Sequence, residues 1–227
     1  MARFPWGYAT IDSSFVLGDS GRHLEIEMPE WQGAKAGQHI DIRINHEDGS
    51  KTVRSYSLSS GPNDAAQISV ELVEGGVMST FLVNHVKDGD KVEARGPIGS
   101  KFIYDEEKAE RPAILIGGGS GVAPLRGMWR AAKEYGSTVK LVYSVRTPDK
   151  AWFMDEIEAE GVDMLLKITR GEHATGRVNK EDLESVIAEF DNPRFYICGP
   201  NAFVDFIDET LVELNIEPSD VEKEKWG

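Results

Sequence analysis

The sequence has a single cysteine, Cys198, in 227 residues. That excludes an internal disulfide, a four-cysteine zinc site and a cysteine-ligated iron–sulfur cluster within the sequence given. No apolar run approaches the ~20 residues needed to span a bilayer. The opening Met1-Ala2-Arg3-Phe4-Pro5-Trp6 lacks a signal-peptide core, so the expectation is a cytoplasmic protein with no membrane span. Basic residues are scarce: 25 Lys and Arg stand against 39 Asp and Glu, a formal net charge of −14. The basic footprint that nucleic-acid binding requires is missing. The same acidity suits a soluble surface, and it repels a strongly acidic redox partner except at a local basic patch. Internal repeats and low-complexity segments are absent as well.

What is present falls into two rhythms. The N-terminal part alternates with period two: Leu24, Ile26 and Met28; Ile40, Ile42 and Ile44; Ile68, Val70 and Leu72. Turn signals such as Gly18-Asp19-Ser20-Gly21, Gly61-Pro62-Asn63-Asp64 and Asp88-Gly89-Asp90 separate these runs. Short alternating strands at this spacing predict an antiparallel barrel or sandwich, with one helical turn at Ser79–Asn84. From Arg111 apolar strands (Ile114–Ile116, Val139–Val145, Met164–Ile168, Phe195–Cys198) alternate with helical patterns. The helix at Lys180–Phe190, with Asn179 as its N-cap, presents Leu183, Val186, Ile187 and Phe190 on one face. A helix after Pro200 does the same with Phe203, Phe206, Ile207, Leu211 and Leu214. This alternation predicts a parallel sheet covered on both faces. The expected division is a β-barrel over 1–105 and an α/β unit over 110–227, parted in the charged segment Tyr104–Arg111.

Ile114 to Pro124 organises the second part. An apolar run meets Gly117, Gly118, Gly119, Ser120 and Gly121, then Leu125, Met128, Trp129 and Ala132 at helical spacing. Strand, tight turn and helix follow. Glycine admits close backbone approach, and a helix N-terminus offers free amides to a phosphate. Counted from Gly119, the dinucleotide fingerprint G-x-G-x-x-G carries Pro124 in place of its last glycine. Proline is sterically acceptable in a first helical turn. By itself the pattern is weak, and an ordinary glycine-rich turn is the alternative.

Arg54-Ser55-Tyr56-Ser57 resembles the R-x-Y-S motif of the ferredoxin–NADP reductase family of flavoproteins. Gly76-Val77-Met78-Ser79 is similar to its G-x-x-S flavin-phosphate loop and Gly96-Pro97-Ile98-Gly99 to its G-P-x-G. Gly117–Pro124 resembles its nucleotide loop, and Cys198-Gly199-Pro200 its C-G-P signature. The motifs stand in the family's order from about residue 10 to the C-terminus. The tail Glu222-Lys223-Glu224-Lys225-Trp226-Gly227 resembles the family's E-x-F/Y ending, with tryptophan at the aromatic position.

The resemblance implies bound FAD, with NADPH or NADH as the second cofactor. Arg54, a permanently charged planar fork, suits a phosphate. Tyr56, on the same strand face as Arg54, packs against the flavin ring or simply in the core. Ser57, on the opposite face, would hydrogen-bond flavin N5. Gly76 and Ser79 would face the diphosphate, or else form an ordinary turn with Ser79 as helix cap. Cys198 would lie beside the nicotinamide, without acting as a nucleophile, at the strand end where ligands of open α/β sheets bind. Glu224 lies close by, and Trp226 would cover the flavin face that nicotinamide must reach. His39, after Gly37-Gln38, reads as a histidine completing local hydrogen bonds. An arginine at the turn after the second strand (Arg146), with Thr169-Arg170 after the third, leans towards the 2′-phosphate of NADPH.

The function implied is an NAD(P)H-dependent flavoprotein reductase passing a hydride to flavin and electrons onward to a separate protein or small-molecule acceptor. Two alternatives stay open: a free-flavin reductase, and a non-catalytic flavin-binding electron-transfer subunit of a larger complex.

Overall fold

In a computed structural model, which describes residues 4–226, the alternating segments become six strands. These are β1 (Gly7–Leu17), β2 (Gly21–Glu27), β3 (His39–Asn45), β4 (Lys51–Ser57), β5 (Ala66–Glu71) and β6 (Lys91–Ile98). They form one antiparallel sheet in the order β4-β3-β6-β1-β2-β5. Just past β4 the chain crosses to β5: Leu58 bridges Ile68, and the Ser59 amide donates to the Gln67 carbonyl at 2.8 Å. That link rolls the sheet into a barrel. Among the described residues the other edge of β4 has no strand partner along Lys51–Ser57, which leaves a seam beside Arg54 and Tyr56.

The period-two pattern does what it predicts: Leu24, Ile26, Ile40, Ile42, Ile68 and Val70 all point into the barrel and are buried. The expected helical turn is α1 (Val77–Thr80), which widens into a π turn over Phe81–His85. It sets Met78 and Leu82 into the barrel core.

The second half is a parallel sheet of β7 (Ala113–Gly118), β8 (Val139–Val145), β9 (Asp163–Ile168), β10 (Arg194–Pro200) and β11 (Val221–Trp226), in the order β11-β10-β7-β8-β9. One face carries α2 (Val122–Tyr135) and α3 (Met154–Glu160), the other α4 (Lys180–Ile187) and α5 (Asn201–Glu213). Each helix end has a local cause. Gly136, at φ 70°, closes α2 in the left-handed conformation. Asn179 accepts from the Asp182 amide at 2.8 Å while Asp182 accepts from the Asn179 amide at 3.0 Å, a capping box.

One expectation changes, and two elements were not foreseen. The buried stripe of α5 is Val204, Ile207 and Leu211, whereas Phe206 is 45% exposed and faces a cavity. The charged tail is the edge strand β11, paired in register with β10. Helix α3 has no counterpart in the sequence reading.

The barrel and the parallel sheet share one core. Leu17, Ala36, Phe102 and Tyr104 pack in the same cluster as Leu115, Met128, Trp129 and Tyr196. Buried Arg126, on α2, donates to the Ser59 carbonyl at 2.8 Å, to Gln67 Oε1 at 2.6 Å and to Glu156 at 2.8 Å. One guanidinium thus ties the strand crossing that closes the barrel to the helix that follows the glycine turn. Charged hydrogen bonds of this kind are the stronger ones, and a buried cation is tolerated only when so paired. Next to it His23 is buried between Phe15 and Phe153 and hydrogen-bonded to Ser69 at 3.0 Å. Burial, with Arg126 nearby, pushes its pKa down to about 3.

Candidate functional site

The C-terminal ends of β7, β8, β9 and β10 open onto a cavity of about 780 Å³. The twist of an open α/β sheet leaves such a crevice where neighbouring crossovers diverge. The cavity's floor is Gly118, Gly119 and Ser120, at the entry to α2. Gly119 takes φ +57°, with no atom within 4 Å of where a Cβ would stand, so the turn leaves open space above the helix N-terminus. Gly121 is needed for the opposite reason: a Cβ there would lie 2.2 Å from the carbonyl oxygen of Cys198. Pro124 is buried in the first turn, where its missing amide hydrogen removes no helical bond.

The walls are unusually cationic for so acidic a chain. Arg146, Lys150, Arg170 and Arg177 line the cavity beside Thr169, with Glu71 the single acidic lining residue among the described residues. Among the described residues, Lys150 alone of the four has an ion-pair partner. Guanidinium groups without carboxylate partners in a protein of net charge −14 make a site for an anion. Phe203, Phe206, Pro200 and Trp226 supply the apolar side. Trp226 is 39% exposed and stands opposite Pro200 in the strand register.

Next to this cavity, three distant parts of the chain meet. Ser57 Oγ, from the end of β4, donates to Glu224 Oε2 at 3.0 Å. Glu224 is paired in register with Cys198 of β10, and Cys198 in turn with Gly117 of β7. Burial raises the Glu224 pKa, against the opposing pull of the Ser57 hydrogen bond and the charge of His39. The fully buried Cys198 thiol is pushed well up, first by burial and then by the Glu224 charge. It is therefore a neutral thiol, consistent with a packing wall and not with a nucleophile. His39 faces Ser57 across the β3–β4 ladder, and its ring makes no hydrogen bond among the described residues.

On the barrel side, Arg54 and Tyr56 sit opposite Ile42 and Ile40 and so share the inward face, at the open seam. The Arg54 side chain bonds only the neighbouring Val53 carbonyl, at 2.8 Å, and is exposed; it has no carboxylate partner among the described residues. Tyr56 is half-buried against the barrel core, and burial pushes its hydroxyl up to about 12. α1 lies against β4, so the loop Gly76, Val77, Met78 and Ser79 faces this seam. Two hydroxyls expected at the cofactor are engaged elsewhere. Ser55 donates to Asp41 at 2.6 Å, where Arg95 also binds. Ser79 accepts from the Val73 amide at 3.2 Å and donates to the Gly76 carbonyl at 3.1 Å. What that loop presents outward is backbone, with Val77 exposed.

Residues 9–104 match the family model described as an oxidoreductase FAD-binding domain, and residues 115–209 the one described as an oxidoreductase NAD-binding domain. The chain belongs to the ferredoxin reductase-like family of FAD- and NAD-binding oxidoreductases. Among its curated relatives, a flavohemoprotein of Schizosaccharomyces pombe is 33% identical over 221 residues, covering 86% of the chain and 50% of the relative. The NADH oxidoreductase HCR of Escherichia coli is 29% identical over 188 residues, covering 80% of the chain and 56% of the relative. The chain thus spans about half the length of the curated relatives it matches. In fold, it superposes on the flavohem-like FAD/NAD-binding domain of nitric oxide dioxygenase from Vibrio cholerae with a TM-score of 0.80 at 24% identity, covering 97% of this chain and 98% of that one.

Sequence reading missed several cavity residues: Lys150, Arg177, Glu71 and Leu72. Arg177 follows Gly176 in a loop and Lys150 ends a short turn after Pro148. Neither belongs to a periodic pattern. The recurrence of arginine after β8 and β9 (Arg146 and Arg170) is the one available signal.

Proposed function

We propose that this chain binds FAD in the barrel seam and NAD(P)H in the cationic cavity, passes a hydride from nicotinamide to flavin, and delivers electrons to a separate acceptor. One observation carries the reading. Ser57 of the barrel, Cys198 of the parallel sheet and Glu224 of the last strand meet beside the cavity, where two bound rings would have to face each other.

The residues fit both groups. Arg54, without a carboxylate partner, and the backbone of Gly76–Ser79 flank the open seam and suit a diphosphate. Tyr56 offers an aromatic wall there. Gly118, Gly119 and Ser120 would cradle a nucleotide pyrophosphate at the α2 N-terminus, closed on the other side by Pro200, while Gly121 and Gly199 let the turn and β10 pack closely behind them. Bound flavin supplies the redox chemistry, accepting a hydride and releasing electrons singly or in pairs. The chain's own task is positional. The Ser57 hydroxyl supplies a donor whose partner in this structure, Glu224, is a carboxylate that burial holds closer to its neutral form. Cys198 keeps an uncharged, water-free surface where nicotinamide C4 would lie. Trp226 covers the approach. Arg146 and Arg170, with Thr169, favour NADPH through its 2′-phosphate. We assign the barrel unit to 1–105 and the nucleotide unit to 110–227.

The test is direct. The purified chain should be yellow, release FAD and not FMN on heating, and bleach anaerobically with NADPH faster than with NADH. Colourless folded protein would refute the flavin assignment. Flavin that washes out and turns over as a substrate would identify a free-flavin reductase. Bound flavin that neither nucleotide reduces would identify an electron-transfer subunit.

A further inference from the structure

The β1–β2 turn of the barrel, Gly18-Asp19-Ser20-Gly21, is pressed against the turn that follows β8. A Cβ on Gly18 would lie 2.1 Å from the Asp149 carbonyl oxygen, and one on Gly21 would lie 2.4 Å from the Trp152 ring. The receiving turn is fixed from below. The Tyr143 hydroxyl accepts from the Trp152 amide at 3.1 Å and points at the Lys150 carbonyl at 3.4 Å. Lys150 and Trp152 both line the nucleotide cavity. Here the Lys150 ammonium does not lie idle: it pairs with Asp19 Oδ1 at 2.5 Å and donates to the Ser20 hydroxyl, which itself donates to Asp19. Arg146, Arg170 and Arg177, in the same cavity, have no such partner among the described residues.

We infer that Asp19 competes with a phosphate of the bound dinucleotide for Lys150, so that a carboxylate on the flavin-side barrel sets the nucleotide affinity of the other half. The proposal rests on the cavity being the NAD(P)H site. Both partners are partly exposed, at 29% and 48% of their side-chain surface, so the pair is weak and exchangeable. Lysine suits the role because its flexible stem moves a compact charge between partners. A phosphate carrying more than one negative charge outbids a single carboxylate, and Lys150 then leaves the barrel turn for the ligand. Removing Asp19 spares the ligand that competition.

Isothermal titration of the as-purified protein with NADP+ and with NAD+ at low salt tests the inference in wild type, Asp19→Asn, Asp19→Ala, Lys150→Met and the Asp19→Ala/Lys150→Met double variant. Asp19→Ala should bind about two- to fivefold more tightly, the range an exposed ion pair spans, and Asp19→Asn should lie between it and wild type. Lys150→Met should bind more weakly, and Asp19→Ala should then have no further effect. A gain confined to NADP+ places Lys150 on the 2′-phosphate; an equal gain with NAD+ places it on the pyrophosphate. Glycines 18 and 21 are untouched, so the close-packed turn is preserved, and unchanged urea midpoints confirm it. Asp19 variants that bind as wild type does, or more weakly, overturn the competition while leaving the nucleotide site standing. A wild type that binds neither nucleotide overturns the functional reading and this inference together.

Discussion

Gly121→Ala is the most demanding test of the site's architecture. The added methyl would stand 2.2 Å from the Cys198 carbonyl oxygen, 2.6 Å from its carbonyl carbon and 3.0 Å from the Gly199 amide nitrogen. All three are backbone atoms, so no rotamer change relieves them. Ordinary contact begins near 3.4 Å, and the turn and β10 must therefore separate by about 1.2 Å (3.4 − 2.2). Cys198 is held on both sides, by Gly117 of β7 and Glu224 of β11. The displacement therefore falls on the Gly119–Gly121 turn or spreads into the strand that carries the thiol. Overpacking of this kind costs about 1–3 kcal/mol, readable as a lower urea midpoint with unchanged m-value. The kinetic effect should be larger than the loss of stability suggests. A misplacement of about 1 Å at a reacting centre costs about a hundredfold in rate, and the turn that moves is the one that would hold the nucleotide. Anaerobic stopped-flow measurement of flavin reduction at saturating NADPH, below the unfolding transition, provides the reading. A variant with wild-type midpoint and wild-type reduction rate would show that the turn and β10 are not in contact, and the site described here would have to be rebuilt.

Other outcomes follow from the same geometry. Ser57→Ala removes the donor that reaches Glu224 at 3.0 Å and should slow flavin reduction by about 10²–10³ while FAD affinity changes little; an unchanged rate would make Ser57 structural. Arg170→Ala should weaken NADPH by about 1.5–3 kcal/mol and spare NADH, as binding titrations of each will show. Trp226→Ala should bind NADP+ more tightly, by up to about 1.5 kcal/mol, and brighten flavin fluorescence at equal occupancy; no change in either removes the gate. For His23, the folded pKa is depressed to about 3, so the unfolded chain takes up the proton first. Its contribution is complete above the unfolded value near 6.5 and is lost as pH falls from there towards 3, at up to about 1.4 kcal/mol per pH unit. His23→Gln should flatten urea midpoints across that window by one proton's worth.

Periodicity revealed most of the scaffold. Strand β8 runs over Val139–Val145 as its apolar pattern requires, and Leu125, Met128, Trp129 and Ala132 are all buried on α2. What escaped was held by non-local forces. β11 reads as Glu222-Lys223-Glu224-Lys225, without an apolar alternation. It is a strand because β10 offers a parallel partner and because Lys108–Glu222, Lys223–Asp208 and Lys225–Asp205 pair its charges. Phe206 lies at the border of the α5 stripe, where helical spacing alone does not decide between core and cavity. The Ser57–Glu224 contact joins residues 167 positions apart, and only the motif resemblance put them in one site. Lys150 and Arg177 sit in loops, where charge has no period to follow.

The core shared by barrel and sheet limits how such a two-part fold can be re-engineered. A chimera joined at the charged segment near Tyr104–Arg111 would carry Leu17, Ala36, Phe102 and Tyr104 from one parent against Met128, Trp129 and Tyr196 from another. The seam visible in the primary sequence is therefore not the seam of the folded object. A nucleotide half transplanted onto a foreign barrel should arrive with a mismatched interface unless those four residues, the Ser59–Gln67 crossing that Arg126 grips and the Gly18–Gly21 turn travel with it. Exchange of cofactor preference between relatives is accordingly better sought by grafting the loops around Arg146, Lys150, Arg170 and Arg177 than by shuffling whole halves.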